Sequence, residues 1–506
     1  MKILLVYPKN TDTFWSFKHA LKFISKKAAF PPLGLLTVAA MLPSEWKKKL
    51  IDMNITSLKD KDIKWADYVF ISAMVVQQDS TREVIDRCKK FGIKTVGGGP
   101  LFTPGYDDFM LDDVDHIICA EAENIMPRFV EDLKNGTAKH MYNAEGWPDI
   151  STSPVPLWSL INMKKYQLMS LQYSRGCPFN CEFCDIVVMN GHIPRTKSRE
   201  QVLAELNAIY DQGWRGSVFF TDDNFIGNKR KLKAEILPAM AQWNKAKNYP
   251  YSFFTEVSIN LADDEELMQA MTEVGFNMVF VGIESPNEES LVECNKMPNK
   301  GRDLLALVKK LQNHGFQVQG GFIVGFDSDP LSIFRSQINF IQKSGIVTAM
   351  VGVLMAPPRT ALYNRLKKEN RLLPGGSGDN TDGSTNFIPK MGRERLTNGY
   401  RHILRTIYSQ RQYNERIKTF LKEYKPRSPR KGSINFSYIR ALFRSIWVMG
   451  IWDKDRRDYW KLFIWTLLNK PRHFPLSITF AIQGLHFRKV AEKIVMMHVG
   501  DFDGTG

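Results

Sequence analysis

The sequence predicts an α/β protein in three parts: a flavodoxin-like doubly wound domain, a partial (β/α) barrel of parallel strands, and a helical appendage. Three observations predict this. Short apolar runs alternate with helical spacing over residues 1–142, and the alternation resumes over residues 161–366. A stretch rich in Pro, Ser, Asp and Thr separates the two regions at residues 143–160, and strands vanish from residue 367 onward. A chain of 506 residues is in any case too long for one compact domain.

In the first part, residues 2–7, 49–53, 68–73, 94–96 and 116–119 read as strands, and 32–41 and 80–91 as helices. This rhythm predicts a small parallel sheet covered on both faces. Ligands of such sheets sit outside the carboxyl ends of the strands. There the sequence offers Pro31-Pro32-Leu33-Gly34, Ser72 and Gly97-Gly98-Gly99-Pro100. Three consecutive glycines let a flat ligand approach the backbone, and they serve a tight turn equally well. In the second part the strands are residues 169–174, 216–221, 253–258, 278–283, 318–324 and 348–354, with helices such as 199–212 and 264–274 between them. A β/α array of this length places its active site at the carboxyl ends of its strands. The third part opens on a Gly/Asp/Ser/Asn loop at 374–384, followed by helices at 395–408, 414–424, 434–449 and 455–468.

A hydrophobic content of 43% with 24% charged residues is that of a folded chain. No run of eighteen apolar residues suggests a membrane span. The apolar start is stopped by Pro8 and lacks a cleavage pattern, so a cytoplasmic location is expected. The net charge of +16 calls for an acidic partner, but no nucleic-acid recognition module is visible and none is expected to bind. Residues 424–472 mix Lys and Arg with Trp447, Trp452, Tyr459, Trp460, Phe463 and Trp465. That mixture suits peripheral contact with the headgroup layer of the inner membrane, and it suits an ordinary helical domain with a solvated basic face as well. Residues 474–487 are apolar but too short, and too broken by Pro475 and Gly484, to span a bilayer.

Six cysteines are too few for a disulfide framework. Cys88, Cys119 and Cys294 are isolated and read as packing residues, whereas Cys177, Cys181 and Cys184 fall within eight residues. They stand in Ser174-Arg175-Gly176-Cys177-Pro178-Phe179-Asn180-Cys181-Glu182-Phe183-Cys184, on a loop that follows a strand. Three thiolates can hold three irons of a cubane and leave the fourth open to a ligand. The rival is zinc, which needs a fourth ligand; His192 is the nearby candidate.

With this spacing opening a β/α array, the chain resembles the radical S-adenosylmethionine enzymes. The resemblance implies a 4Fe-4S cluster on the three cysteines. It also implies S-adenosylmethionine chelated at the open iron, and reductive cleavage to a 5′-deoxyadenosyl radical. It places Phe183 against the adenine, Asp222 and Asp223 on the methionine ammonium, Glu256 on the ribose, and Gly282 and Glu284 along the adenosine site. Asp222 and Asp223 also fit a helix N-cap with its turn. A doubly wound domain directly before such a barrel resembles the cobalamin-binding domain of the cobalamin-dependent class. There Pro32, Gly34, Ser72, Gly97, Gly98 and Gly99 would face the corrin. No Asp-x-His-x-x-Gly motif occurs, which implies cobalt without a lower histidine ligand. The layout is most similar to the hopanoid 2-methylase group, although Thr13-Phe14-Trp15-Ser16-Phe17-Lys18-His19 marks a difference near the start.

The resemblance implies methylation of an unactivated carbon of a small-molecule or lipid substrate, hopanoid- or isoprenoid-like, with electrons from a flavodoxin or ferredoxin. Two alternatives stand beside it. One is a cobalamin-dependent radical oxidation, cyclisation or rearrangement without methyl transfer; the other is a non-catalytic corrinoid and Fe–S carrier.

Overall fold

Ile3, Leu4, Leu5 and Val6 are wholly buried, so the strand Lys2–Tyr7 (β1) is covered on both faces, as a central parallel strand must be. A computed structural model describes residues 1–105, 108–379, 381–427 and 436–496. β1 is flanked by Lys47–Asp52 (β2) on one side and Tyr68–Ser72 (β3) on the other. Lys94–Gly98 (β4), His116–Cys119 (β5) and Met141–Asn143 (β6) extend the sheet in the order β2-β1-β3-β4-β5-β6, every pair parallel. The strand order reverses at β1, which opens a crevice outside the carboxyl ends of the strands. The sixth strand straddles the boundary between the first domain and the stretch read as a linker.

The second sheet is a six-stranded parallel array in the order Ala349–Val353 (β14), Gln317–Val324 (β13), Phe276–Glu284 (β12), Ser252–Val257 (β11), Ser217–Phe220 (β10), Met169–Leu171 (β7). The first barrel strand is shorter than the sequence suggests. After Leu171 the chain turns into a separate antiparallel pair, Ser174–Arg175 (β8) with Arg195–Thr196 (β9). The cysteine loop hangs between these two short strands.

β14 ends the array, and its outer carbonyls would face nothing. Two tyrosine hydroxyls from the helix Arg393–Ile407 and its cap take that place: Tyr400 shares its proton between Thr381 O at 2.6 Å and Val351 O at 3.1 Å, and Tyr408 donates to Ala349 O. Arg416, wholly buried on the helix Gln410–Glu423, donates to Val347 O at 3.1 Å and to Ile407 O at 2.9 Å. The edge is thus closed by side chains rather than by a seventh strand.

Residues 474–487, read from the sequence as a broken apolar stretch, belong to a 23-residue helix, Phe474–Met496. It is buried along most of its length, and Gly484 lets it approach Tyr413, whose ring a Cβ there would meet at 2.5 Å. No described helix is long and apolar enough to cross a membrane. The expected helix at 434–449 begins in residues outside those described; its described part is Phe436–Ser445, continued by Ile446–Trp452.

The segment that marked a difference near the start has a packing role. Phe14 lies 5.2 Å from Tyr408 and 5.8 Å from Phe487 between ring centroids. Trp15 meets Phe280 of β12, and Phe30 meets Phe219 of β10. His486 joins this segment to the last helix, its Nε2 lying 3.0 Å from Phe14 O. Its buried Nδ1 has no partner among the described residues, so a second proton there would be an uncompensated charge.

Burial accordingly pushes His486 down to about 4, with His19 adding repulsion and Asp12 opposing it. An unfolded histidine titrates near ~6.5, so below that the unfolded chain binds the extra proton. This contribution to stability is full above about pH 6.5 and fades as pH falls towards 4, by up to about 3 kcal/mol. Thermal midpoints measured from pH 7.5 to 4.5 should fall more steeply in the natural chain than in His486→Gln; equal slopes would contradict the assignment.

Candidate active site

Gly176 begins the cysteine loop at φ +97°, and a Cβ there would meet Ile193 O at 2.9 Å and the carbonyls of Asn190 and Gly191 at 3.0 Å. Only glycine fits. From there the loop is held by acceptors on other elements. Asp222 is buried after β10 and accepts from Tyr173 N at 3.1 Å, Ser174 Oγ at 2.6 Å and Ser174 N. Asp223 Oδ2 accepts from Gly176 N at 2.9 Å and Asn190 Nδ2 at 3.0 Å. Burial pushes Asp222 up to about 7 against the pull of these donors. Both carboxylates thus fix the backbone at the root of the loop, while Asp223 Oδ1 makes no hydrogen bond among the described residues.

The far side of the loop is held by charge. Arg365, on the helix Ala361–Lys368, grips Glu182 through Nε at 2.7 Å and Nη2 at 3.0 Å. The same guanidinium reaches Asp327 at 3.0 Å and Glu293 at 3.3 Å, and Arg371 closes on Asp327 at 2.6 Å. Glu182 stands between Cys181 and Phe183, so the ion network acts on the middle of the cysteine motif. Its backbone is tied too, Glu182 N donating to Cys294 O at 2.9 Å.

Cys181 is buried and Cys177 and Cys184 are half-buried. Burial pushes all three thiols up, with the Lys296 ammonium pulling each back. Among the described residues no three His, Cys, Asp or Glu side chains converge as a single metal ion requires, and His192 is exposed. A zinc site would need His192 or another fourth ligand turned towards the three thiols.

Around the loop lie the other expected positions. Phe183 is half-buried, 6.2 Å from Phe326 between ring centroids. Glu284 ends β12 at φ +61°, a left-handed conformation strained for glutamate, and accepts from Lys296 at 2.7 Å. Gly282 makes room for that pair: a Cβ would stand 2.3 Å from Glu284 Oε1 and 2.8 Å from Lys296 Nζ. Although burial disfavours its charge, Glu284 and Cys181 hold the Lys296 ammonium above the ordinary lysine range. Glu256 on β11 makes no side-chain hydrogen bond among the described residues; burial, reinforced by Asp223 and Asp222, pushes it up to about 8.

A cavity of about 360 Å³ separates the two sheets. Gly34, Ser72, Gly97, Gly98, Gly99 and Ala120 line its first-domain wall, and Gln172, Arg175 and Thr221 its barrel wall. Gly34 would meet nothing with a Cβ, and Gly98 only Ile118 at 3.7 Å or more, so both leave open space for a flat ligand. Gly97 serves internal packing instead, its missing Cβ occupied by the Phe102 ring at 2.5 Å. Pro32 is buried at the start of the helix Leu33–Met41 and does not reach the cavity wall. A clamp of charges spans the same interface: Arg175 binds Glu121 at 2.6 Å and Glu123 at 2.8 Å, and Arg195 also binds Glu121. Its carboxylate side chains are only 7% and 3% exposed.

Comparisons with known proteins agree with this layout. Residues 24–130 match the B12 binding domain, 171–341 the radical SAM superfamily, and 360–498 a domain of unknown function (DUF4070). The chain is 31% identical to the hopanoid C-2 methylase of Rhodopseudomonas palustris over 91% of its own length and 88% of that protein. It is 39% identical to the uncharacterized methyltransferase sll1242 of Synechocystis over 99% and 94% of the two lengths. The chain belongs to the cobalamin-dependent radical S-adenosylmethionine methyltransferases. Its fold is shared with the solved methyltransferase TsrM of Kitasatospora setae, with cobalamin and a [4Fe-4S] cluster bound (TM-score 0.59, 15% identity, covering 74% and 76% of the chains). It is shared also with the cobalamin-dependent radical enzyme OxsB (TM-score 0.63, 14% identity, covering 97% and 79%).

As a member of that family the enzyme uses a 4Fe-4S cluster, S-adenosylmethionine and cobalamin, and takes electrons from a reductant. Sequence reasoning did not find Arg175, Glu121, Glu123, Lys296 or Arg365. Only Arg175 carried a signal, its adjacency to Gly176-Cys177; the rest come from distant elements.

Replacing Arg365 by Met should leave Glu182 without its bidentate partner and loosen the loop. Amide exchange over residues 177–184 is expected to quicken by about tenfold or more, the effect of roughly 1.4 kcal/mol. Unchanged exchange in a folded variant would show that the loop is ordered without this network.

Proposed function

We propose that this enzyme methylates an unactivated carbon of a lipid-like substrate of hopanoid or isoprenoid type. The observation that carries the substrate class is the inner face of the barrel. Side chains alternate across a strand, and the face bearing Glu256 also bears Phe219, Phe254, Met278, Phe280 and Ile323. Phe219 and Phe254 are register partners, stacked at 4.5 Å with an interplanar angle of 18°. Phe30 and Trp15 extend the surface from the N-terminal segment. Gly321 lets the Phe280 ring lie against its backbone, where a Cβ would meet the ring at 2.9 Å. Such a lining suits a large apolar skeleton, the polar members of the same face being Glu256 and Gln319 along its length and Ser217, Ser252 and Gln317 at the strand starts. The hopanoid C-2 methylase relative supports the same class.

In this reading Cys177, Cys181 and Cys184 hold the cluster. Asp222 orients the root of their loop, Asp223 Oδ1 accepts from the methionine ammonium, and Phe183 packs on the adenine. Glu256 meets the ribose, and Gly282 and Glu284 complete the adenosine wall. Gly34, Ser72, Gly98 and Gly99 hold the corrin, with Gly97 setting the wall behind them through its contact with Phe102. Among the described residues no histidine lines the cavity, in keeping with the missing Asp-x-His-x-x-Gly motif. When bound, the cluster and S-adenosylmethionine supply one-electron cleavage and cobalamin supplies a transferable methyl group. The protein orients the apolar substrate, excludes water and fixes the distance between the two cofactor sites.

The division at residues 1–142, 143–160, 161–366 and 367–506, a flavodoxin or ferredoxin as reductant, and a cytoplasmic enzyme peripheral to the inner membrane belong to the same reading.

Anaerobic reconstitution, reduction and supply of a total lipid extract should yield 5′-deoxyadenosine, S-adenosylhomocysteine and a lipid heavier by one CH2. Any of Cys177→Ala, Cys181→Ala or Cys184→Ala should return all three to background. Phe254→Ala should raise KM for the lipid by about tenfold or more, matching the loss of one buried aromatic contact. Methylation confined to a water-soluble pool would overturn the substrate class.

A further inference from the structure

The fold leaves one part of its surface apolar. Twenty large hydrophobic side chains are exposed among the described residues, and ten of them fall between Tyr438 and Leu468. On the helix Phe436–Ser445 and its continuation, Ile439, Phe443, Trp447 and Ile451 recur every four residues and form one stripe. Phe443 is 67% exposed, Trp447 59% and Trp452 71%, and the two indoles lie 6.1 Å apart. On the helix Arg456–Asn469, Ile464, Leu467 and Leu468 form a second stripe, Leu468 being 77% exposed. The stripes meet where Trp460 packs on Gly450 and donates to its carbonyl at 2.9 Å. The opposite side of the first helix is already occupied, Arg444 donating to Lys22 O at 2.6 Å and to Ser25 at 3.0 Å.

Charge decides what this surface fits. Between residues 436 and 472 stand eight basic and three acidic residues. Two of the acids, Asp453 and Asp455, are bound by Arg488 from the buried last helix. Arg456 and Arg457 are exposed and make no ion pair among the described residues, and Lys461 follows one turn later on the same helix. A protein partner of ordinary composition would match the apolar stripes but leave the basic rim unanswered. A bilayer surface answers both: indoles and aliphatic side chains enter the acyl boundary while guanidinium groups remain among phosphates.

We propose that the face formed by residues 438–468 docks this enzyme on anionic bilayers. This gives the lipid-substrate reading a defined surface and rests on it only for its purpose, since docking itself needs no substrate. The full chain is mixed with phosphatidylcholine vesicles, with and without phosphatidylglycerol, and sedimented. Binding should rise by about tenfold or more with the anionic lipid, as expected for a few basic groups near the surface. It should fall by a similar factor in Trp447→Ser/Trp452→Ser, and in Arg456→Glu/Arg457→Glu. Vesicles containing brominated acyl chains should quench the indole fluorescence of the natural chain more than that of the first variant.

Deoxyadenosine release from both variants, assayed with detergent-dispersed lipid, should match the natural chain. No sedimentation, or sedimentation equal in all three proteins, overturns the proposal. So does a chain that self-associates through this face, shown by light scattering that reports monomers only after the tryptophan substitutions. None of these outcomes touches the substrate class, which is read from the methylated product.

Discussion

The cysteine loop leaves β8 and returns at β9, a pair of two-residue strands too short to order it. Its order depends on acceptors and charges brought from three other places in the chain: the end of β10, the segment after β12, and the helix Ala361–Lys368. The two classes of anchor act differently. The Asp222 and Asp223 carboxylates fix the backbone at the root through several donors at once. The Arg365 network acts on Glu182 in the middle of the motif. A loop that carries a redox cofactor needs both, since a thiolate displaced by an ångström no longer fits a rigid cubane.

The same loop root is where the first domain attaches. Arg175, one residue before Gly176, is the point at which Glu121 and Glu123 of the doubly wound domain grip the barrel. These ion pairs are buried, so their worth in stability is modest against the cost of desolvation. Their value is geometric: they link the wall of the cobalamin cavity to the start of the cluster loop through two side chains. Position of one cofactor site relative to the other is therefore set by a contact chain only a few residues long.

Much of this was legible in the sequence, for identifiable reasons. Parallel strands buried on both faces, such as Ile3–Val6, write themselves as continuous apolar runs. The Cys-x3-Cys-x2-Cys spacing is local, and so are the strand-end positions Asp222, Glu256 and Glu284. What escaped is what depends on distant partners. Residues 474–487 read as a broken apolar stretch because Pro475 and Gly484 are helix-breaking in isolation; in the fold Pro475 lies in the first turn and Gly484 makes room for Tyr413. The glycine run was read equally as clearance for a ligand and as a tight turn; Gly97 is bare because Phe102 fills its place. Nothing in the local pattern around Arg365 announces Glu182, which lies 183 residues earlier.

The packing of Phe14 and Phe17 against Tyr408, His486 and Phe487 has a consequence for how the chain is made. These aromatic rings leave the ribosome roughly 470 residues before their partners on the helix Phe474–Met496. At a synthesis rate of about 5–20 residues per second, the interval is tens of seconds. Throughout that time the nascent chain exposes a cluster of rings that nothing yet covers, beside a doubly wound domain already able to form its sheet. A chain that stops before the helix Phe474–Met496 would display that cluster to the cell's quality-control machinery.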